Sequence, residues 1–238
     1  MNIQYATLSE AGPRPRNEDS FLAMSIDAKH YSFAVADGLG GMGGGEVASG
    51  IAIDYLRDHS QYILKDPNNI GNFIRNINQL IIDKQKEGQK YTTMATTLSV
   101  AVIVDDTLYI GHVGDSRIAL ARGQGIKRLT KDQSEAQRLF DLGKLSKEEL
   151  KSYARKNILE SALGAKEYID VLEGKEPLHS GDYIVITSDG IHNKIFIREI
   201  RRCISHLMEP GTIVAGISEE MSHRGADDNY TCVVARVL

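Results

Sequence analysis

The segment FAVADGLGGMGGGEVASG, residues 33–50, places an aspartate and a dense run of glycines directly after a strand-like apolar run. Six of the eight residues from Gly38 to Gly45 are glycine, whereas a turn needs roughly one or two. The excess indicates that the backbone comes close to another group, because glycine brings no side chain into the gap. The apolar run ends on Asp37, so we expect its carboxylate to be aimed at the same place.

Around this segment, the periodicity of apolar residues separates short strands from longer helices. Strands are predicted at residues 3–8, 20–26, 31–36, 97–104, 107–113, 116–121, 182–187 and 230–237. Helices are predicted at residues 45–58, 70–87, 196–207 and 211–223. The predicted order is two helices among the early strands, then a run of strands and then late helices. This order favours an α+β layered domain over a strictly alternating parallel fold. The polar segment 131–165 interrupts the strands and is predicted to be a helical insertion over the surface.

Charge and composition narrow the range of partners. The net charge of −4, from 28 basic and 32 acidic residues, gives no reason to expect nucleic acid. Every apolar run falls short of the roughly 20 residues that span a bilayer, and the N-terminal MNIQYATLSEAG lacks the features of a signal peptide, so we expect no membrane partner. The two cysteines, Cys203 and Cys232, are too few for a disulfide framework or a zinc site. We interpret them as small buried side chains and expect a cytoplasmic protein, monomeric by default.

Asp37 has counterparts at other strand ends. YIVITSDG ends a predicted strand near Asp189, LYIGHVGDSR ends another near Asp115, and GADDNYTCVVARV places Asp228 just before the last one. Any one of these acids, taken alone, is explained by the preference of Asp and Gly for turns. If the four converge at one end of the sheets, their mutual repulsion raises their pKa values sharply unless cations neutralise them.

Such a group of acids suits hard divalent cations. Carboxylate oxygens are the ligands that Mg²⁺ and Mn²⁺ prefer. Zinc is disfavoured, because neither histidine nor cysteine stands beside these acids. Gly38 has no side chain in the way, so its carbonyl oxygen is a further candidate ligand. The sequence therefore predicts a carboxylate metal centre.

A second feature indicates what this centre acts on. AGPRPRNEDS, residues 11–20, carries Arg14 and Arg16 beside Glu18 and Asp19. A guanidinium fork matches the paired oxygens of a phosphate better than an ammonium does. The alternative, a proline-stiffened surface loop with local ion pairs, stays open for this loop taken alone.

The chain resembles the metal-dependent protein serine/threonine phosphatases of the protein phosphatase 2C, or PPM, type. The matching motifs run in the family's order: RPRNEDS, VADGLGG, TTLSVAVI, GHVGDSR, ITSDGI and DDNYT. RKNILESALG, residues 155–164, also resembles the stretch that follows the mobile flap in bacterial members. The resemblance implies a four-layer α-β-β-α sandwich of two antiparallel sheets flanked by helices, formed by a single domain over residues 1–238 with residues 131–165 as a flap-like insertion.

The resemblance also implies roles for the acids. Asp37 matches the carboxylate that bridges two metal ions, and Gly38 offers a carbonyl to one of them. Asp189 and Asp228 match ligands of the other ion. Asp115 matches the residue that helps to hold a third, weaker ion in bacterial relatives.

The remaining site residues surround these ligands. Glu18 matches an acid that holds a metal-bound water, with Asp19 beside it in a supporting role. Arg14 occupies the phosphate-gripping position, whereas Arg16 does not. Asn229 is expected to orient Asp228 or a water.

Two departures from the family pattern affect these expectations. Leu39 stands where many eukaryotic members have a histidine proposed as the general acid, so a metal-bound water is the preferred proton donor. Asn193 stands where relatives with a third metal often have an acid, which weakens a third site. His192 is expected to be a helix-start or surface residue rather than the proton donor.

The function implied is hydrolysis of phosphoserine and phosphothreonine in proteins by a water activated between two Mn²⁺ or Mg²⁺ ions, opposing a serine/threonine kinase. Two alternatives stay open: a catalytically silent module that binds phosphoproteins, and a phosphatase of the anti-sigma-antagonist type with the same chemistry. A generic metal-binding structural domain leaves Arg14 and the insertion unexplained. The insertion is the expected place for substrate choice.

Overall fold

The computed structural model describes residues 1–40, 43–87, 92–204 and 208–238. Its strands, in chain order, are β1 (Ile3–Glu10), β2 (Asp19–Ser25), β3 (Tyr31–Asp37), β4 (Leu98–Val104), β5 (Thr107–Val113), β6 (Arg117–Arg122), β7 (Gly125–Arg128), β8 (Leu172–Pro177), β9 (Tyr183–Thr187) and β10 (Tyr230–Val237). They form a first sheet in the order β1-β10-β9-β6-β7 and a second in the order β2-β3-β4-β5-β8. Both sheets are antiparallel.

The helices cover the outer faces of the two sheets. They are α1 (Gly45–Asp58), α2 (Ser60–Lys65), α3 (Ile70–Glu87), α4 (Glu135–Asp141), α5 (Lys147–Ser152), α6 (Asp189–His192), α7 (Ile197–Cys203) and α8 (Pro210–Arg224), with a 3-10 turn at Pro67–Asn69. Helices α1 and α3 contact the second sheet, whereas α7 and α8 contact the first. In the described part of the chain, no helix is long and apolar enough to cross a membrane.

Three apolar layers hold this arrangement together, and the alternation of side chains along a strand explains them. In β3, Phe33 and Val35 lie between the sheets, whereas Ala34 and Ala36 lie under the helices of the second sheet. Both faces of such a strand are covered, so its sequence is almost continuously apolar. The third layer packs α7 and α8 onto the first sheet. The predicted four-layer α-β-β-α sandwich is confirmed.

The predicted strands are confirmed to within two residues, and the predicted helices at 45–58, 70–87 and 211–223 are also found. The helix predicted at 196–207 ends at Cys203, and residues 205–207 lie outside the described residues. Strands β7 and β8 were not predicted, because GIKR and LEGKEP are polar edge strands without apolar alternation. Cys232 is buried as expected, but Cys203 is half-buried.

The insertion at residues 131–165, here called the flap segment, carries the short helices α4 and α5. Ser134 and Ser146 cap their N-termini, each accepting a hydrogen bond from a backbone N–H. Glu135 at the start of α4 pairs with Arg155 at 2.8 Å and accepts a hydrogen bond from Tyr153 at 2.7 Å. These contacts fold the segment back on itself, and it contains helices as predicted.

Candidate metal centre

The antiparallel order of the strands brings the predicted acids to one edge. Asp37 ends β3, Asp115 follows β5, and Asp189 follows β9. Asp19 begins β2 and lies directly opposite Asp37 in the ladder between β2 and β3, where like charges destabilise each other. The remaining acid, Asp228, lies just before β10, which pairs with β9. We call the side of the sheets where these five acids lie the acidic edge.

The raised pKa of Asp37 indicates that these carboxylates lie close together. The pKa of Asp37 is raised well above 3.8, first by burial and then by Asp19, Asp189, Asp115 and Asp228. All four neighbours act in the same direction, because each negative charge disfavours another nearby. The structure thus brings together the acids that the sequence placed far apart.

Asp189 lies against both of its predicted neighbours. Its pKa is raised by burial and by the charge of Asp228, while a hydrogen bond with the side chain of Asp37 opposes that rise. Asn193 donates a further hydrogen bond from Nδ2 to Asp189 Oδ2 at 3.2 Å. The residue that departs from the family pattern therefore supports a neighbouring carboxylate as a neutral donor.

Asp19 is the most enclosed of the group, with 7% of its surface exposed. Ser188 Oγ donates a hydrogen bond to its Oδ2 at 2.8 Å, while Oδ1 is buried with no hydrogen-bond partner in the described part of the chain. Burial is the first cause that raises its pKa to about 6, with Asp189 and Asp228 adding to the rise. A buried carboxylate oxygen without a donor is suited to a cation or to a cation's water.

Asp115 and Glu18 complete the acidic group. Burial, then Asp189 and Asp132, raise the pKa of Asp115 well above 3.8, while Arg117 opposes the rise. Burial and Glu46 raise the pKa of Glu18 above 4.5.

The glycine run allows the close backbone approach that its density predicts. A Cβ on Gly38 would lie 2.6 Å from the carbonyl oxygen of Glu18 and would collide with the carbonyl of Gly45. Gly44, just before α1, has a φ of 83°, a region that L side chains rarely adopt. The end of β3 and the start of α1 are therefore in backbone contact; Gly41 and Met42, in the same run, lie outside the described residues.

A second close approach sets Asp189 beside Asp228. A Cβ on Gly190 would collide with the carbonyl oxygen of Asn229. Glycine at this position lets the start of α6 lie against the start of β10, so the acids that precede Gly190 and Asn229 become neighbours.

The side chain of Asn229 also makes contacts that the sequence did not predict. Its Nδ2 donates to the carbonyl oxygens of Ala11 and Arg16 at 2.8 and 2.9 Å, and its Oδ1 accepts from Glu18 N at 2.9 Å. Its contact with Asp228 is through the backbone N–H, at 2.9 Å from Oδ1. Asn229 therefore fastens the arginine loop, residues 11–18, to the acidic edge.

The two arginines of this loop have different partners. Arg14 Nη2 lies 2.8 Å from Asp228 Oδ2, with side-chain exposures of 54% and 41%, whereas Arg16 pairs with Glu46 of α1 at 3.0 Å. Exposed pairs of this kind contribute little to stability. Arg14 is therefore placed at the acidic edge and is free to exchange partners, while Arg16 faces α1.

His192 is neither at the surface nor charged. It is buried in α6, with Nδ1 3.1 Å from Thr187 Oγ1. Burial, followed by the charge of Arg117, lowers its pKa well below 6.5. Of the two expected environments, the surface is not found, whereas His192 does lie in the single turn of α6 that begins at Asp189. The expectation that it is no proton donor agrees with its enclosed position.

The sequence did not predict the residues that hydrogen-bond to the backbone of Asp37. Thr97 Oγ1 accepts a hydrogen bond from Asp37 N at 3.0 Å, and Thr96 Oγ1 donates to Asp37 O at 2.9 Å. Both belong to the TTLSVAVI motif, so the motif was visible but its function was not. Ser188, the donor to Asp19, was missed for the same reason.

The donor set suits a hard divalent cation. It is built from oxygen, it carries several negative charges, and those charges are costly in proximity unless neutralised. Within the described ranges, no three acidic, histidine or cysteine side chains form a ready-made ion cage. The roles of these side chains as individual ligands therefore stay a prediction.

Comparison with known proteins agrees with this geometry. The family model described as Protein phosphatase 2C matches residues 14–219. Protein phosphatase PhpP of Streptococcus pneumoniae is 31% identical over 96% of this chain and 95% of its own. Serine/threonine phosphatase stp of Listeria innocua is 30% identical over 94% of this chain and 92% of its own.

Among solved structures, the catalytic domain of the serine/threonine protein phosphatase PstP in complex with two manganese ions is 27% identical, with a TM-score of 0.85 over 99% of this chain and 98% of that one. The chain belongs to the protein phosphatase 2C family and is a protein serine/threonine phosphatase.

Asp19→Asn tests the electrostatics without measuring activity. The folded-state pKa of Asp19 is raised, so the stability from this group is fully present below pH 3.8 and is lost as pH rises through about 6. In chelator, the variant should match the wild type near pH 3.8 and exceed it at neutral pH by about 3 kcal/mol in the free energy of unfolding. Urea unfolding at several pH values measures the difference.

Asp66→Asn, at an exposed carboxyl before the 3-10 turn, is the control for the same change of side chain away from the group of acids around Asp37. A pH-independent effect of Asp19→Asn would contradict the assigned environment.

Proposed function

We propose that this phosphatase hydrolyses phosphoserine and phosphothreonine in proteins at a binuclear centre of Mn²⁺ or Mg²⁺. The proposed ligands are Asp37 and the carbonyl of Gly38 for one ion, and Asp189 and Asp228 together with Asp37 for the other. The observation that carries the proposal is that burial and neighbouring acids, Asp228 among them, raise the pKa values of both Asp37 and Asp189. When bound, two such ions neutralise phosphate charge and lower the pKa of a water molecule.

Arg14 is proposed to bind the phosphate. Its guanidinium already lies at the acidic edge, 2.8 Å from Asp228, and its side chain is 54% exposed. A planar fork can hold two non-bridging phosphate oxygens at once. Because the pair with Asp228 is exposed, exchanging the carboxylate for a phosphate costs little.

The other acids support the centre. Glu18 is proposed to hold a water at an ion, with Asp19 behind it. Asp115 is proposed to contribute to a weaker third site, since Asn193 offers a neutral amide where an acid would add charge. The third ion is therefore proposed to be the most weakly held of the three.

A covalent cysteine mechanism has no support in the chain. Burial raises the pKa of the Cys232 thiol to about 12 and also raises that of Cys203, so neither is a ready thiolate. Direct attack by water needs no such nucleophile, and it suits a site that acts chiefly by positioning and by neutralising charge.

We further propose that the phosphatase opposes a serine/threonine kinase in the cytoplasm as a monomer. Residues 1–238 are proposed to form one phosphatase domain, since β1 and β10 pair along eight residues in one sheet. The free thiols Cys203 and Cys232 suit a reducing compartment.

Asp37→Asn removes the charge of the proposed bridging ligand while keeping its shape. Hydrolysis of p-nitrophenyl phosphate with Mn²⁺ should fall at least about a hundredfold, because a neutral amide is a poor metal bridge. Circular dichroism checks that the fold is kept. Asp227→Asn is the control, because Asp227 is next to Asp228 in the chain but is 71% exposed and pairs with Lys194. Full activity in Asp37→Asn would remove the assigned centre, and phosphopeptide binding without turnover in the wild type would favour a silent binding module.

Arg14→Ala should raise KM for p-nitrophenyl phosphate about tenfold through the lost charge-assisted contacts. Affinity for Mn²⁺ should be kept or strengthened, because a cation beside Asp228 is removed. Steady-state kinetics and calorimetric titration measure the two effects. Arg16→Ala, whose partner is Glu46, is the matched control and should leave KM unchanged. A loss of Mn²⁺ affinity in Arg14→Ala would contradict phosphate binding as its role.

A further inference from the structure

A cavity of about 560 Å³ lies beside the acidic edge. It is enclosed by the flap helices α4 and α5, by strands β6, β7 and β9, and by α6 and the start of α7. Its size falls in the range of roughly 300–1,000 Å³ that is usual for ligand sites. We call it the flap cavity.

The floor of the flap cavity is apolar. Ala119, Val185 and Ile200 from the body of the protein are buried along it, and Phe140 faces them from the flap segment. Phe196 lines the cavity while 56% of its surface is exposed. An exposed aromatic beside a buried apolar floor suits a large apolar side chain from a partner.

The walls of the same cavity are basic. Arg117 and Arg128 are already occupied by Asp132, at 2.6 and 3.3 Å. Three lysines of the flap segment also line it: Lys147, Lys151 and Lys156. Five cations therefore face two acids, Asp115 and Asp132, so the cavity attracts a negative group.

The flap lysines are available to such a group. Lys151 Nζ lies over the ring of Phe196 at 5.7 Å, and Lys147 and Lys156 are exposed. No salt bridge to Lys147, Lys151 or Lys156 is found in the part of the chain that the structure describes. A carboxylate that entered beside Phe196 would gain cations without displacing a partner.

The flap cavity is continuous with the candidate metal centre. Asp115 and Asn193 line it, and Asn193 is hydrogen-bonded to Asp189. A phosphorylated side chain at the centre would therefore leave neighbouring residues of its own chain at the mouth of the cavity. His192 lies at this junction, where burial lowers its pKa well below 6.5, so it adds no charge of its own.

Resting on the proposed function, we infer that the flap cavity selects protein substrates in which a large apolar residue stands beside an acidic one near the phosphorylated residue. The apolar side chain fills the floor next to Phe196, and the acid pairs with Lys147 and Lys156. A basic residue at the same place is rejected by like charge.

Phosphothreonine peptides test the inference. In the first set, a Leu-Asp pair is moved from peptide to peptide through successive positions before and after the phosphothreonine. Matched sets carry Ala-Asp, Leu-Lys or Ala-Ala at the same positions. At the best position, kcat/KM for Leu-Asp should exceed that for Ala-Ala at least about tenfold. The double variant Lys147→Glu with Lys156→Glu should abolish or reverse the preference for Asp over Lys, and Phe196→Ala should remove the preference for Leu.

Hydrolysis of p-nitrophenyl phosphate, which is too small to reach the cavity from the centre, should stay within about twofold in both variants. Lys29→Glu with Lys175→Glu, at exposed lysines outside the cavity, makes the same change in net charge and should keep the peptide preferences. If the cavity variants lost equal activity toward p-nitrophenyl phosphate and toward peptides, the cavity would act on the metal centre itself, as a site for a small anionic effector would. That result would overturn the inference.

The wild type separates the inference from the proposed function. Hydrolysis of p-nitrophenyl phosphate and of all peptides at equal rates would leave the function standing and overturn the inference. No Mn²⁺-dependent hydrolysis of any substrate would overturn both.

Discussion

Repulsion between carboxylates that share one edge of the two sheets is the constraint on which the rest of this structure depends. Asp19 and Asp37 face each other across a strand ladder, and Asp189 and Asp115 add their charges. Folding alone does not favour such a group, because each buried charge raises the cost of the next. The arrangement becomes favourable once divalent cations supply the missing positive charge, which links the fold to the family's metal-dependent chemistry.

The scaffold holds this edge together with backbone contacts rather than with opposing charges. Gly38 and Gly190 let neighbouring chain segments approach more closely than any side chain permits. Asn229 ties the arginine loop to the start of β10 through three hydrogen bonds. Thr97 binds the backbone of Asp37, so the carboxylate itself is left free to turn toward an ion. Arg14, the cation that pairs with Asp228, is exposed and weakly held, which suits a group that must meet a substrate.

The sequence was informative wherever a pattern was local. Strands with both faces covered were found because their apolar runs are long, and the acids were found because each ends or begins such a run. Polar edge strands such as β8 carry no such pattern, and α6 is a single turn that periodicity cannot detect. The role of Asn229 and the existence of the flap cavity depend on residues far apart in the chain, which no spacing along the sequence reveals. The same holds for the burial of His192.

The central claim is that cations replace protons on a repelling group of carboxyls. Titration of the chelated protein with Mn²⁺ in buffers of different ionisation enthalpy measures it directly, because the calorimetric enthalpy then reports the protons released. Since burial and neighbouring acids raise the pKa of Asp19 to about 6 and that of Asp37 well above its ordinary value, binding of two ions per chain should release protons at pH 6, and fewer as the pH is raised. Binding without proton release at pH 6, or no binding at all, would contradict the account.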